Sequence, residues 1–209
     1  MTLGDATRVF LTKPTARILV AVTAAVLVVR VALGRWTLRD VVVMAAIIGF
    51  EPLTEWVIHV YVLHMKPRMV GRWRLDPLVA MKHRAHHRDP ADLDLVFIPQ
   101  VVVAVALVVG FGLPLLLAPT ARVALSASVA SFGMLLTYEW THYLIHTRYR
   151  PKSDAYKRLW RAHRLHHFRN ENYWFGVTSH LGDRVLGTYP DKDEVDLSPT
   201  ARDLDDART

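Results

Sequence analysis

Apolar runs separated by short charged blocks set the pattern of this chain of 209 residues. Residues 17–33 form the first run, interrupted near its end by Arg30, whose long stem would let its head snorkel to an interface. Residues 41–64, 95–118 and 123–146 form the second, third and fourth. At 1.5 Å per residue a helical run of 24 residues reaches ~36 Å, against ~30 Å for the hydrocarbon core of a bilayer. The pattern therefore predicts an all-α integral membrane protein with four transmembrane helices. The second run has an unusual second half. Glu51, Glu55 and His59 lie at i, i+4 and i+8, a polar stripe on an otherwise apolar helix. Carboxylates at that depth are costly unless they face the protein interior.

Two connectors carry amphipathic helices. In 65–94, Asp76-Pro77 supplies a cap and a proline for a first turn, and Pro90 stops the helix at Asp89. In the second connector, Ser153 caps a helix whose Tyr156, Leu159, Trp160, His163, His166 and His167 fall on one stripe. Residues 168–190 read as irregular and aromatic, and Trp140, Trp160, Tyr173 and Trp174 as interfacial anchors or packing. Residues 1–190 are read as a single membrane domain. The acidic tail 191–209 shows no apolar period and is expected to be disordered.

Charge sets the orientation. The net charge is +7, but the tail holds seven acids against three bases, so residues 1–190 carry +11. The connector 65–94 alone has seven Lys and Arg, whereas the turn at 119–122 holds only Arg122. The positive-inside rule then places both large connectors, both termini and the cap of short helices in the cytoplasm, in the plasma membrane if the source is bacterial. No basic helix stands clear of the apolar runs, which excludes a nucleic-acid reading. Cysteine is absent, so disulfides, iron–sulfur clusters and thiolate sites are excluded.

Histidine placement carries the chemistry. Ten of the eleven histidines fall in four clusters: His59 and His64; His83, His86 and His87; His142 and His146; His163, His166 and His167. Positions i, i+3 and i+4 share a helix face, so the three clusters at 83–87, 142–146 and 163–167 each converge their imidazoles. One ion takes four to six ligands, so two ions with four or five histidines each is the natural count. His59 and His64, at i and i+5, are roughly 140° apart on an ideal helix. They reach one ion only if the helix distorts there, and otherwise serve different metals. Glu55 and Glu139 precede a histidine by four and three residues and are read as acceptors for ring N–H groups, which fix tautomer and ring direction. Tyr143, Asp183 and His180 are further candidates beside the metals. No catalytic residue is assigned beyond the metal ligands.

These motifs resemble the fatty acid hydroxylase / sterol desaturase superfamily of membrane di-iron enzymes, and within it the fatty acid (sphingolipid) 2-hydroxylases. The matching segments are residues 83–92, Thr141 to His146, Arg161 to Phe168, Phe175 to Ser179, and Asp183 to Thr188, within about 59–190. Leu95 stands where such hydroxylases commonly carry arginine. The resemblance implies two iron ions held by the ten clustered histidines, molecular oxygen as co-substrate, and a membrane lipid acyl chain entering from the bilayer. Imidazole also suits zinc, so overproduced protein is expected to carry zinc. Without cysteine, and with all histidines but His180 claimed, the chain is expected to need a separate electron donor, a ferredoxin or a b-type cytochrome with its reductase. Two further readings stand beside this one: a carotenoid or sterol hydroxylase or desaturase of the same superfamily, and a non-catalytic membrane protein binding metal or haem.

Overall fold

In a computed structural model of the protein, residues 1–204 are described. After a short helix α1 (Leu3–Phe10), the chain forms α2 (Pro14–Ala32) and α3 (Leu38–Ile58), which continues as a π-helical turn over His59–Leu63. A hairpin of β1 (Arg68–Val70) and β2 (Trp73–Leu75) precedes α4 (Leu78–Arg88) and α5 (Leu93–Val96). The long helices α6 (Gln100–Leu117) and α7 (Ala121–His146) follow, then α8 (Asp154–Phe168), α9 (Leu181–Val185) and a 3-10 turn at Lys192–Glu194. Four helical stretches are long and apolar enough to cross a membrane: Pro14–Ala32, Leu38–Leu63, Leu93–Leu117 and Ala121–His146. They begin two to three residues before the apolar runs read from sequence. At the first, Pro14 opens the helix, where its missing N–H costs nothing.

The chain divides into two compact units. One unit comprises residues 7–51 and 98–140. Its core packs Val26, Val129 and Phe132 with Val22, Met44, Leu107, Phe111 and Leu125. Arg30 does not snorkel. It is fully buried, pairs with Asp40 at 2.8 Å, and donates to Ser126 Oγ (2.6 Å) and to the Gly34 carbonyl (2.9 Å). Asp40 also accepts from Thr37 N and Ser126 Oγ. Removing one partner of such a pair strands a buried charge, at about 3–5 kcal/mol. Glu139 is likewise buried, but it accepts from Ile98 N (3.1 Å) at the entry to α6 and from Thr15 Oγ1 (3.5 Å). These partners are the backbone just before α6 and Thr15, not a histidine ring.

The other unit comprises residues 1–6, 52–97 and 141 onward. Ala162, Trp174 and Val195 form its core with Leu165, Tyr173 and Tyr189. Helix α4 starts after Pro77, which takes the N-cap position without a side-chain bond. Asp76 is not the cap, because its carboxylate is engaged by Arg84 (2.7 Å) and Arg74 (3.0 Å). Helix α8 does begin as read, with Ser153 accepting from Tyr156 N at 3.3 Å. The tail is ordered as far as residue 204. Val195, Thr200, Ala201 and Leu204 are buried. Ser198 N donates to the Arg169 carbonyl (2.7 Å), and Arg169 Nε donates to the Val195 carbonyl (2.8 Å). Scattered apolar residues at 195, 201 and 204 have no helical or strand period, which is why pattern reading missed them. The expected disorder of 205–209 lies outside the described residues.

Candidate metal centre

The ten clustered histidines fall into two groups of five, all in the second unit. One holds His59, His64, His83, His87 and His166; the other holds His86, His142, His146, His163 and His167. Within each group the ligand nitrogens lie within 4.8 Å of one another. Five nitrogens at about 2.1 Å from a common centre would be at most ~4.2 Å apart, so each group is close to the size a single ion needs. Each group takes a pair from the end of a long helix, an i,i+4 pair from one short helix, and a single ring from the other. Helix α4 sends His83 and His87 to the first group and His86 to the second. Helix α8 sends His163 and His167 to the second and His166 to the first. The groups abut, with the rings of His87 and His167 stacked 4.2 Å apart.

The i,i+5 pair reaches one group because the helix does distort. His64 N donates to the His59 carbonyl at 3.1 Å, closing a π turn over His59–Leu63. A π turn holds more residues than an α turn, which rotates His64 back towards the face of His59.

Ring orientation is set by the backbone. The Nδ1–H groups of His59, His87, His146 and His166 donate to the carbonyls of Phe175 (2.7 Å), Ala201 (2.9 Å), Pro90 (3.0 Å) and Tyr173 (2.8 Å). A carbonyl only accepts, so each of these rings carries its proton on Nδ1 and, when neutral, a bare lone pair on Nε2. His83 Nε2 lies 3.1 Å from His59 Nε2 and 3.2 Å from His87 Nε2. It can offer a proton to only one of them, so at least one lone pair there faces another atom without a proton between. His166 Nε2, also aprotic, is buried without a hydrogen-bond partner. Unmatched lone pairs cost about 1–3 kcal/mol each. Protonation is no remedy. Burial, reinforced by neighbouring imidazoles, pushes His83, His86, His163, His166 and His167 well below the ordinary value, and burial brings His87 down to about 4. Neutral, converging, unmatched imidazoles fit a bound cation, and an all-nitrogen set suits iron, zinc or copper.

Two carboxylates hold the loop that supplies two of the four carbonyls, those of Tyr173 and Phe175. Asp183, fully buried, accepts from Phe175 N (2.9 Å), Gly176 N (2.8 Å) and Thr188 Oγ1 (2.6 Å). Glu55 accepts from Val177 N, Thr178 N and Thr178 Oγ1. At His59, His87, His146 and His166 the ring N–H acceptor is a backbone carbonyl, and Glu55 holds the loop that carries the Phe175 carbonyl. Trp174 lies between the two carbonyls of this loop with φ +57°, a conformation L residues rarely adopt. It is held there by burial and by its Nε1–H on the Pro190 carbonyl (3.1 Å). Trp174 is thus packing, not an anchor at an interface. At Gly182 a Cβ would run into the Pro52 carbonyl and the Trp56 side chain, so only glycine lets α9 approach α3 this closely.

Tyr143 is buried and donates to the Ala6 carbonyl at 3.0 Å. His180 belongs to neither group. It opens α9 with its ring 4.6 Å from that of Tyr189. The four carbonyls were not foreseen. Every residue has a carbonyl, and nothing in a side-chain pattern marks which ones a ring will meet.

The family model for fatty acid hydroxylases matches residues 43–188. The chain belongs to the fatty acid hydroxylase family. Among relatives, a dihydroceramide fatty acyl 2-hydroxylase of Arabidopsis thaliana is 34% identical over 149 residues, covering 69% of this chain and 60% of its own length. A fatty acid 2-hydroxylase of Homo sapiens is 30% identical over 139 residues, covering 65% of this chain and 36% of its own. The chain thus spans only part of each relative. A solved structure of full-length Scs7p, in which only the hydroxylase domain is visible, superposes with a TM-score of 0.71 at 22% identity, covering 88% of this chain and 68% of that one; it shares the fold. The family match contains all ten clustered histidines, Glu55, Glu139 and Asp183. It ends before Ala201, whose carbonyl receives the His87 ring proton.

Proposed function

We propose that this chain is an oxygen-dependent lipid hydroxylase that inserts a hydroxyl at carbon 2 of a fatty acyl chain, free or carried by a sphingolipid. The observation that carries the proposal is the pair of five-histidine groups with forced, converging Nε2 lone pairs, in a chain whose named relatives are 2-hydroxylases. We assign His59, His64, His83, His87 and His166 to one iron ion and His86, His142, His146, His163 and His167 to the other. Bound there, the two irons would supply the activation of molecular oxygen. The chain's own residues do the rest. Carbonyls of Tyr173, Phe175, Pro90 and Ala201 hold the rings in the coordinating tautomer. The Phe175 ring, 5.3–5.5 Å from those of His59, His64 and His166, presents an apolar wall that keeps bulk water from the first group. The same imidazoles suit zinc, which has no redox chemistry, so zinc-loaded protein should be inactive.

The basic connectors favour a cytoplasmic site and cytoplasmic termini, in the inner membrane if the source is bacterial. Within these residues there is no cysteine and no histidine pair outside the two groups. We propose that electrons reach the metals from a donor outside these residues, a ferredoxin or a b-type cytochrome with its reductase, steered by the exposed cations of the connectors. Residues 1–190 act together as the hydroxylase domain.

The test is mass spectrometry of lipids from cells expressing the chain under heavy-oxygen gas. Acyl chains carrying one heavy oxygen at carbon 2, absent with His166→Ala, are the expected result. Unlabelled lipids, despite metal-loaded protein and a competent reductant, would refute the proposal.

A further inference from the structure

The hairpin Arg68–Leu75 contributes no ligand to the metal centre, and neither of its faces is covered. All six strand residues are exposed. The register pairs Arg68 with Leu75, Met69 with Arg74 and Val70 with Trp73. Val70, Trp73 and Leu75 therefore share one face, with Arg68 at its edge, and Met69 and Arg74 lie on the other. Trp73 is 68% exposed, Met69 65% and Val70 55%. An isolated two-stranded hairpin is marginal in water, so this much bare apolar surface calls for something to cover it.

Three observations say what does. The span over Leu38–Leu63 ends five residues before β1, so the hairpin lies within about 17 Å of chain from the bilayer. Between Tyr61 and Leu75 there are four cations, Lys66, Arg68, Arg72 and Arg74, and no acid. All four are exposed. Finally, the chemistry is that of an interface: a tryptophan with the Arg72 guanidinium 5.0 Å from its ring, next to aliphatic side chains. Tryptophan favours the headgroup level, and arginines keep their heads there while their stems follow the apolar surface. We infer that the β1–β2 hairpin is an in-plane anchor, its Val70–Trp73 face sunk into the acyl boundary and its cations on anionic lipid headgroups. It would tie down the start of α4, which carries His83, His86 and His87, since Asp76 bridges Arg74 of the hairpin to Arg84 of the helix. The inference does not depend on the activity proposed above.

The chain has no cysteine, so Val70→Cys gives a unique site for an environment-sensitive fluorophore. Asp154→Cys, at a side chain 83% exposed on α8, is the control. The full chain is placed in nanodiscs of phosphatidylcholine with phosphatidylglycerol. The expected result is a blue-shifted label at 70, quenched by shallow nitroxide-labelled lipid and severalfold less accessible to aqueous iodide than the label at 154. Replacing the phosphatidylglycerol with phosphatidylcholine should raise the accessibility at 70 with no change to the protein. Equal iodide access at both positions would overturn the inference. So would protection at 70 that appears only at high protein-to-disc ratio, or only on adding an acidic electron-transfer protein, because the hairpin would then meet a second copy or a partner instead of lipid.

Discussion

His166 shows how one residue's environment determines its chemistry. Its Nδ1 proton is committed to the Tyr173 carbonyl, its Nε2 is buried with nothing to accept from, and burial keeps it neutral. His166→Ala should therefore strip metal from the first group and abolish turnover, read by elemental analysis and by product formation. Asp183 is two steps away. It fixes the loop whose Phe175 carbonyl orients His59, so Asp183→Asn should weaken metal retention by about 10–100-fold while the chain still folds; metal release to a chelator measures this. Glu139→Gln should leave metal release unchanged, because Glu139 serves Ile98 and Thr15. If it released metal as fast as Asp183→Asn, our placement of Glu139 would be wrong. At this scale the ligands were legible and their supports were not. Spacings of three and four betray side chains that share a helix face, whereas a carboxylate three residues before a histidine need not turn towards it.

Among elements, the π turn at His59–Leu63 and the segment 195–204 bear on the site most. The i,i+5 spacing left two ways open, a distorted helix or two different metals, and the helix takes the first within the same five residues. The tail gave no such sign, yet the Ala201 carbonyl holds the ring of His87. Deleting residues 198–209 should free that ring and selectively speed metal loss from the first group. Two-phase chelation kinetics would show this, whereas equal acceleration of both phases would mean only general loosening. Helices α4 and α8 also make the metal-free protein acid-sensitive. Their imidazoles sit below about 6.5, the value they regain on unfolding. The unfolded chain therefore takes up protons that the folded chain refuses. Stability is complete above pH 6.5 and falls as the pH drops below it, by up to about 1.4 kcal/mol per pH unit for each such ring. Melting of metal-free protein at pH 7.5 and 5.5 checks this, with the lower midpoint expected at 5.5.

At the scale of the molecule, the four spans were legible because a bilayer imposes a length on every apolar run, and observed limits lie within three residues of those read from sequence. The division into two units was not legible. Helices α3 and α7 run through its boundaries at Glu51–Pro52 and Trp140–Thr141, so no loop or linker marks them. Nor could sequence show that Arg30 is buried against Asp40, since an arginine near a helix end reads equally well as snorkelling. The account rests on two adjacent five-histidine groups, each holding one ion. Metal counted per chain in purified protein tests this most directly, in the wild type, in His64→Ala of the first group and in His142→Ala of the second. The account predicts two metals per chain in the wild type and selective loss from the altered group in each variant. A wild type holding a single metal, or variants that both keep two, would contradict it.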